Sequence, residues 1–145
     1  MADRPIPEPS ELQELLDLAP VAVIVRAFGT DEIIFWRRGA QELYGWTPEE
    51  ALGQVSHELL QTRFPISKEA VDATLRSTGH WAGELTHTRK DGEAVVVTSR
   101  QAIQRDASGR PSVTLEINSD ITERKNAEER FRLLVSAGRR RATRR

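Results

Sequence analysis

The chain contains no cysteine. That excludes disulfides, thiolate metal ligands and a cysteine nucleophile at the outset. Long apolar runs are also missing: nothing approaches the roughly 20 residues that cross a bilayer, so no membrane-spanning helix is expected. Neither charge sign dominates, since 21 Lys and Arg face 22 Asp and Glu for a net charge of −1. Such a balance creates no global field to draw nucleic acid or anionic lipid. The first nine residues hold three prolines and no apolar core. They read as a flexible lead-in, not a secretory signal, and a cytoplasmic location is the default expectation.

What is present fits one soluble domain of 145 residues, with 38% apolar and 30% charged side chains. Ser10 can cap a helix over 10–19, with Leu12, Leu15, Leu16 and Ala19 on one face. Val21 to Phe28 and Glu32 to Trp36 flank Gly29-Thr30-Asp31 and predict a β-hairpin. Short helices follow, over Gly39 to Tyr44, after the Thr47-Pro48-Glu49-Glu50 capping signal, and from a Ser56 cap through Leu60. Ser67 opens the longest central helix, to Thr78, with Gly79 as its stop. The second half predicts three strands: Trp81 to Arg89, Glu93 to Arg105 across an Asp91-Gly92 turn, and Ser112 to Ile121. In the last of these, Val113, Leu115 and Ile117 alternate. Two strands, several short helices and three sequential strands predict an α+β domain, an antiparallel sheet with helices to one side.

The run Asp120-Ile121-Thr122-Glu123-Arg124-Lys125 takes a strand pattern directly into a charged helical one. With Gly39-Ala40, Leu43-Tyr44-Gly45-Trp46, Glu49-Glu50-Ala51-Leu52-Gly53 and Trp81, Gly83 and Glu84 in this order, it resembles a PAS domain over roughly Leu12 to Arg124. The resemblance implies the sensory input module of a bacterial signal-transduction protein such as a sensor histidine kinase, with a five-stranded antiparallel sheet, short helices on one face and flanking terminal helices. It divides the chain into a lead-in (1–9), an N-terminal amphipathic helix (10–19), a core (20–122), a signalling helix (123–137) and a basic tail (138–145). Arg37 departs from the pattern, standing where many members have Asn.

The resemblance also implies the roles. Asp120, Ile121 and Thr122 couple the sheet to the following helix, where a side-chain oxygen of Asp120 or Thr122 can also serve as a cap. Ala127, Phe131 and Leu134, at spacings of four and three, form the seam of a dimer helix, with a terminal helix docked on its own sheet as the alternative. The wall of an internal ligand would be Val23, Val25, Ile34, Trp36, Leu43, Leu60, Val71, Leu75, Leu85, Val97 and Leu115; the same side chains are the expected core and can fill the space alone. The expected partners are a second copy, a downstream output domain and a small molecule. No membrane and no nucleic acid are expected, and a ligand-free dimerisation module is the alternative.

Which cofactor is bound, if any, is left open. The absence of Cys excludes the flavin-cysteinyl adduct of light-sensing members. Haem is disfavoured because the central helix carries no His, although His80 and His87 lie near the interior. No histidine spacing points to a metal. Ser56-His57-Glu58 resembles the phosphoacceptor box of histidine kinases, but no long two-helix hairpin or phosphate-cradling loop accompanies it. Trp36, Trp46 and Trp81 read as core anchors. No catalytic constellation stands out, and the chain reads as a regulatory domain and not an enzyme. Five arginines among the eight residues from Gly138 to Arg145 read as a disordered tail, with a basic nucleic-acid arm as the alternative.

Overall fold

A computed structural model describes Glu14 and residues 20–143, with side chains up to Arg140. The lead-in, the expected helix over 10–19 apart from a helical Glu14, and the tail beyond Thr143 lie outside the described residues.

Five strands form one antiparallel sheet: β1 (Ala22–Ala27), β2 (Ile33–Trp36), β3 (His80–Thr88), β4 (Ala94–Arg105) and β5 (Pro111–Asp120), in the spatial order β2-β1-β5-β4-β3. The last strand in sequence is therefore the central one. It pairs Val25 with Leu115 on one side and Gln101 with Glu116 on the other. Between β2 and β3 run α1 (Arg38–Tyr44), α2 (Pro48–Ala51), α3 (Ser56–Leu59) and α4 (Lys68–Thr78), and α5 (Thr122–Thr143) follows β5. The α+β expectation, a five-stranded antiparallel sheet with helices and a C-terminal helix, holds.

Local chemistry explains the boundaries. Thr47 and Glu50 make a reciprocal capping box around Pro48 at the head of α2. Ser67 accepts the Ala70 N–H at 3.1 Å to start α4, which stops at Gly79 with φ of 84°. Ser56 does not cap α3; Val55 takes that position, and Ser56 is buried inside the first turn. Arg37 holds the N-cap position of α1 without a side-chain capping bond. That helix lies so close to the chain entering β1 that a Cβ on Gly39 would run into the Val21 carbonyl oxygen.

The core has two apolar clusters. Ala22, Ile24, Ile33, Trp36, Ala40, Tyr44, Ala51 and Leu60 pack at the β1–β2 side, and Leu85, Val95 and Val97 at the β3–β4 side, with Leu43 touching both. The helix-facing residues of central β5 are polar: Thr114, Glu116 and Asn118, all buried. Leu115, expected in the core, is therefore on the other face. Leu115 and Ile117 are 39% and 37% exposed on the opposite face, because successive strand side chains point to opposite sides. α5 continues through Arg139, Arg140 and Arg141 to Thr143.

Candidate functional site: a charged cavity joined to the strand-to-helix exit

Arg26 is the hub of the buried polar layer. On β1 it faces the helices beside Ile24, and its guanidinium serves three elements: Nε donates to Asp31 Oδ1 at 3.2 Å, Nη1 to Glu116, and Nη2 to Gln101 Oε1 at 2.8 Å. Arg26, Asp31 and Glu116 are 6%, 6% and 5% exposed. Burying such charges is tolerable only because each is paired and hydrogen-bonded. Asp31 adopts φ of 61° in the hairpin turn, a left-handed conformation costing an L-residue about 1–2 kcal/mol, less for Asp.

The layer continues in two directions. Towards solvent, Lys68 on α4 lies 2.8 Å from Asp31 Oδ2 and 2.7 Å from Asp72 Oδ2. Partial burial pulls the Lys68 pKa down, but its hydrogen bonds to these two carboxylates prevail and raise it. Inward, Asn118 Nδ2 donates to Glu116 Oε2 at 2.7 Å and to the Tyr44 hydroxyl at 3.0 Å. The Tyr44 hydroxyl meets His87 Nδ1 at 2.7 Å.

Burial holds the His87 pKa below its ordinary value, with the Glu116 charge opposing and the Arg26 charge assisting. His87 is therefore neutral. With the Asn118 amide already donating to the Tyr44 oxygen, the network assigns the Tyr44 proton to His87 Nδ1 and the imidazole proton to Nε2. Burial likewise drives the Tyr44 pKa well above its ordinary value, and the Glu116 charge adds to this. Neither group changes charge in ordinary use.

Arg26, Asp31, His57, Lys68, Gln101 and Glu116 form the polar wall of a cavity of about 20 Å³, room for about one water molecule. Leu60, Phe64, Val71 and Leu85 close it on the apolar side. Of the expected ligand wall, Leu60, Val71 and Leu85 line this space. Trp36, Leu43, Leu75 and Val97 are placed in the core away from it. Val23, Val25 and Leu115 point to the opposite face of the sheet, and Ile34 is 53% exposed, so these four do not contribute to its wall. Sequence reasoning missed Arg26, Asp31, Gln101, Glu116 and Asn118. The available signal was the period-two polar series Thr114-Glu116-Asn118 in a strand whose neighbours on both sides are themselves paired.

The histidines separate clearly. His87 is locked in the network, His57 stands at the cavity mouth, and His80 is exposed. Among the described residues, no group of His, Cys, Asp or Glu could hold a metal ion. No helix of the described residues is long and apolar enough to cross a membrane. Trp36 is buried and donates Nε1–H to the Trp46 carbonyl at 2.8 Å. Trp81 covers Gly83, where a Cβ would meet its ring at 2.7 Å.

At the other end of β5, the polypeptide turns into α5 through bonds to β4. Asp120 Oδ1 accepts the Thr122 N–H at 2.9 Å. The Ile121 N–H donates to the Val96 carbonyl at 2.8 Å, and Thr122 Oγ1 accepts the Val96 N–H at 2.9 Å. Lys125, one turn later, reaches Glu84 on β3 at 3.0 Å. Beyond this anchorage α5 is mostly bare: Phe131 and Leu134 are 69% and 71% exposed, and Ala127 is exposed too.

With sheet order, helix placement and strand exit in view, residues 16–126 match the PAS fold family. The chain belongs to that family. No curated protein matches it. Among solved structures, it is similar to the PAS domain of a protein from Colwellia psychrerythraea, at 25% identity and a TM-score of 0.67, covering 79% of this chain and 97% of that one. It also resembles an RNA-binding light-oxygen-voltage receptor, at 20% identity and a TM-score of 0.74 over 94% of this chain. Here it spans 41% of the receptor's length. A sensory box histidine kinase/response regulator from Burkholderia thailandensis aligns at 17% identity with a TM-score of 0.67, covering 90% and 98% of the two chains. The latter two likenesses speak for the fold alone.

Proposed function

We propose that this PAS domain is the sensory and relay module of a bacterial signal-transduction protein of the sensor histidine kinase kind. A change at the charged cavity passes along β5 and through Asp120-Ile121-Thr122 into α5, which pairs with the α5 of a second copy and alters the output domain beyond. The carrying observation is continuity on one strand: Glu116 and Asn118 belong to the buried network, and Asp120, two residues on, bonds the first residue of α5. Such a junction turns a small shift of the central strand into a change of helix direction or register.

The exposed apolar side chains of α5 support pairing. Phe131 and Leu134 are mostly exposed among the described residues, and a lone helix gains little stability from propensity in water. Light scattering coupled to size exclusion tests this. The unaltered chain is expected to be a dimer and Phe131→Ser/Leu134→Ser a monomer that keeps the sheet signal but loses part of the helical circular dichroism; a monomeric unaltered chain would sink the pairing. Coupling is tested in the longer parent, where Asp120→Ala and Thr122→Ala should change the output while the fold persists.

A ligand-free dimerisation and relay module is the second possibility, favoured by the water-sized cavity. Native mass spectrometry of protein purified without added cofactor distinguishes the two. A releasable mass supports sensing, and a clean dimer supports relay alone.

A further inference from the structure

Groups from three separate elements converge on a single carboxylate at the cavity mouth. Asp31 receives Arg26 Nε from β1 at 3.2 Å, Lys68 Nζ from α4 at 2.8 Å, and His57 Nδ1 from α3 at 3.6 Å. The last distance is too long for a hydrogen bond, and His57 Nδ1 is buried with no hydrogen-bond partner among the described residues. The seat therefore has capacity that its occupant does not use. That occupant is delivered by an exposed turn, Gly29-Thr30, in a left-handed backbone conformation at Asp31. Directly behind it lies the cavity, with Leu60, Val71 and Leu85 as apolar backing.

Charge balance decides what can enter. Arg26 and Lys68 face the carboxylates of Asp31, Asp72 and Glu116. An anion added to this set would increase the negative charge in a partly buried site, which is disfavoured. A carboxylate that replaces the Asp31 carboxylate leaves the charge unchanged and inherits its donors. A cation would meet N–H groups already pointing inward.

We infer that Asp31 is the chain's own occupant of a carboxylate seat, and that a small carboxylate ligand enters the cavity by taking its place as the Gly29-Thr30-Asp31 turn moves outward. Arg26 is the shared partner: it holds the seat through Nε and Glu116 of β5 through Nη1. Exchange at the seat is thus felt by the strand that ends at α5. Departure of the turn also breaks the bond from the Ser56 N–H to the Asp31 carbonyl, 3.0 Å in the closed arrangement. This inference rests on the sensory proposal only in taking the cavity as the sensing site.

Asp31→Gly is the direct test, because glycine accepts a φ of 61° and removes the occupant. Acetate and formate are titrated by calorimetry and by thermal unfolding, with chloride matched for ionic strength. Asp31→Gly is expected to bind acetate at least about tenfold more tightly than the unaltered chain, with a concentration-dependent rise in Tm. Adding Lys68→Met should abolish the gain. In the unaltered chain, millimolar acetate should shift the amide resonances of Gly29, Thr30 and Asp31. If Asp31→Gly does not fold, Asp31→Ala, which also removes the occupant at about 1–2 kcal/mol of backbone strain, is held to the same expectation.

A folded variant that responds to acetate no more than to chloride overturns the inference and leaves a structural ion cluster only. Acetate binding without any change in α5 or in the output of the parent would keep the seat and defeat the relay. Loss of binding with an intact response to Thr122→Ala would do the reverse.

Discussion

Thr122 Oγ1 accepts the Val96 N–H at 2.9 Å, so the first residue of α5 is bonded to β4 as well as to the strand it leaves. A helix that merely continued from β5 would need no such bond. The Ile121 N–H to Val96 carbonyl bond beside it makes the attachment two-point, using both backbone groups of Val96.

Replacing Thr122 by Val keeps the shape and strands the Val96 N–H. We expect a loss of about 1 kcal/mol and faster hydrogen exchange at Val96 and in the first turn of α5, with Thr122→Ser close to the unaltered chain. Unchanged exchange at Val96 would show that the bond does not anchor the helix.

Arg26→Met should be among the most damaging single changes. It leaves Glu116 without its cation and takes the Arg26 guanidinium from Asp31, and breaking a buried pair costs about 3–5 kcal/mol. Urea unfolding should recover part of that loss in Arg26→Met/Glu116→Leu, where no buried charge is stranded on β5. A double variant no better than the single would contradict the pairing account.

The pH dependence follows from His87. Its pKa lies below the ordinary 6.5 in the folded chain because of burial. Between the folded and unfolded values the unfolded chain binds more protons, so stability rises with pH across that window. Acidification below about pH 6.5 should therefore lower Tm, and His87→Gln should flatten that slope. An equally steep slope in the variant would assign the effect to another group.

Gly39→Ala tests the approach of α1 to β1. The added Cβ meets the Val21 carbonyl oxygen, part of the backbone that cannot rotate away. Overpacking of this kind costs about 1–3 kcal/mol, and thermal unfolding should show it. An unchanged Tm would mean that α1 can lift from the strand freely.

The strand positions, the capping box at Thr47, the α4 helix with its Gly79 stop and the Asp120-Ile121-Thr122 exit were legible in the sequence, since each is set by neighbours a few residues apart. The face of β5 was not legible. Val113, Leu115 and Ile117 carry the apolar alternation, yet Thr114, Glu116 and Asn118 face the helices. Alternation states that two faces differ, and only pairing with β1 and β4 decides which is inside. The same holds for the cavity. Arg26, Asp31, Lys68, Gln101 and Glu116 are spread over 91 positions, Arg26 to Glu116 inclusive, and each alone resembles an ordinary polar surface residue. Family membership and the exit to a following helix were thus determined by the sequence, through local propensity and motif order. The buried ion network, the carboxylate seat and the orientation of the central strand were decided by the tertiary structure, because charges far apart in the chain are stable in the interior only where the fold brings their partners together.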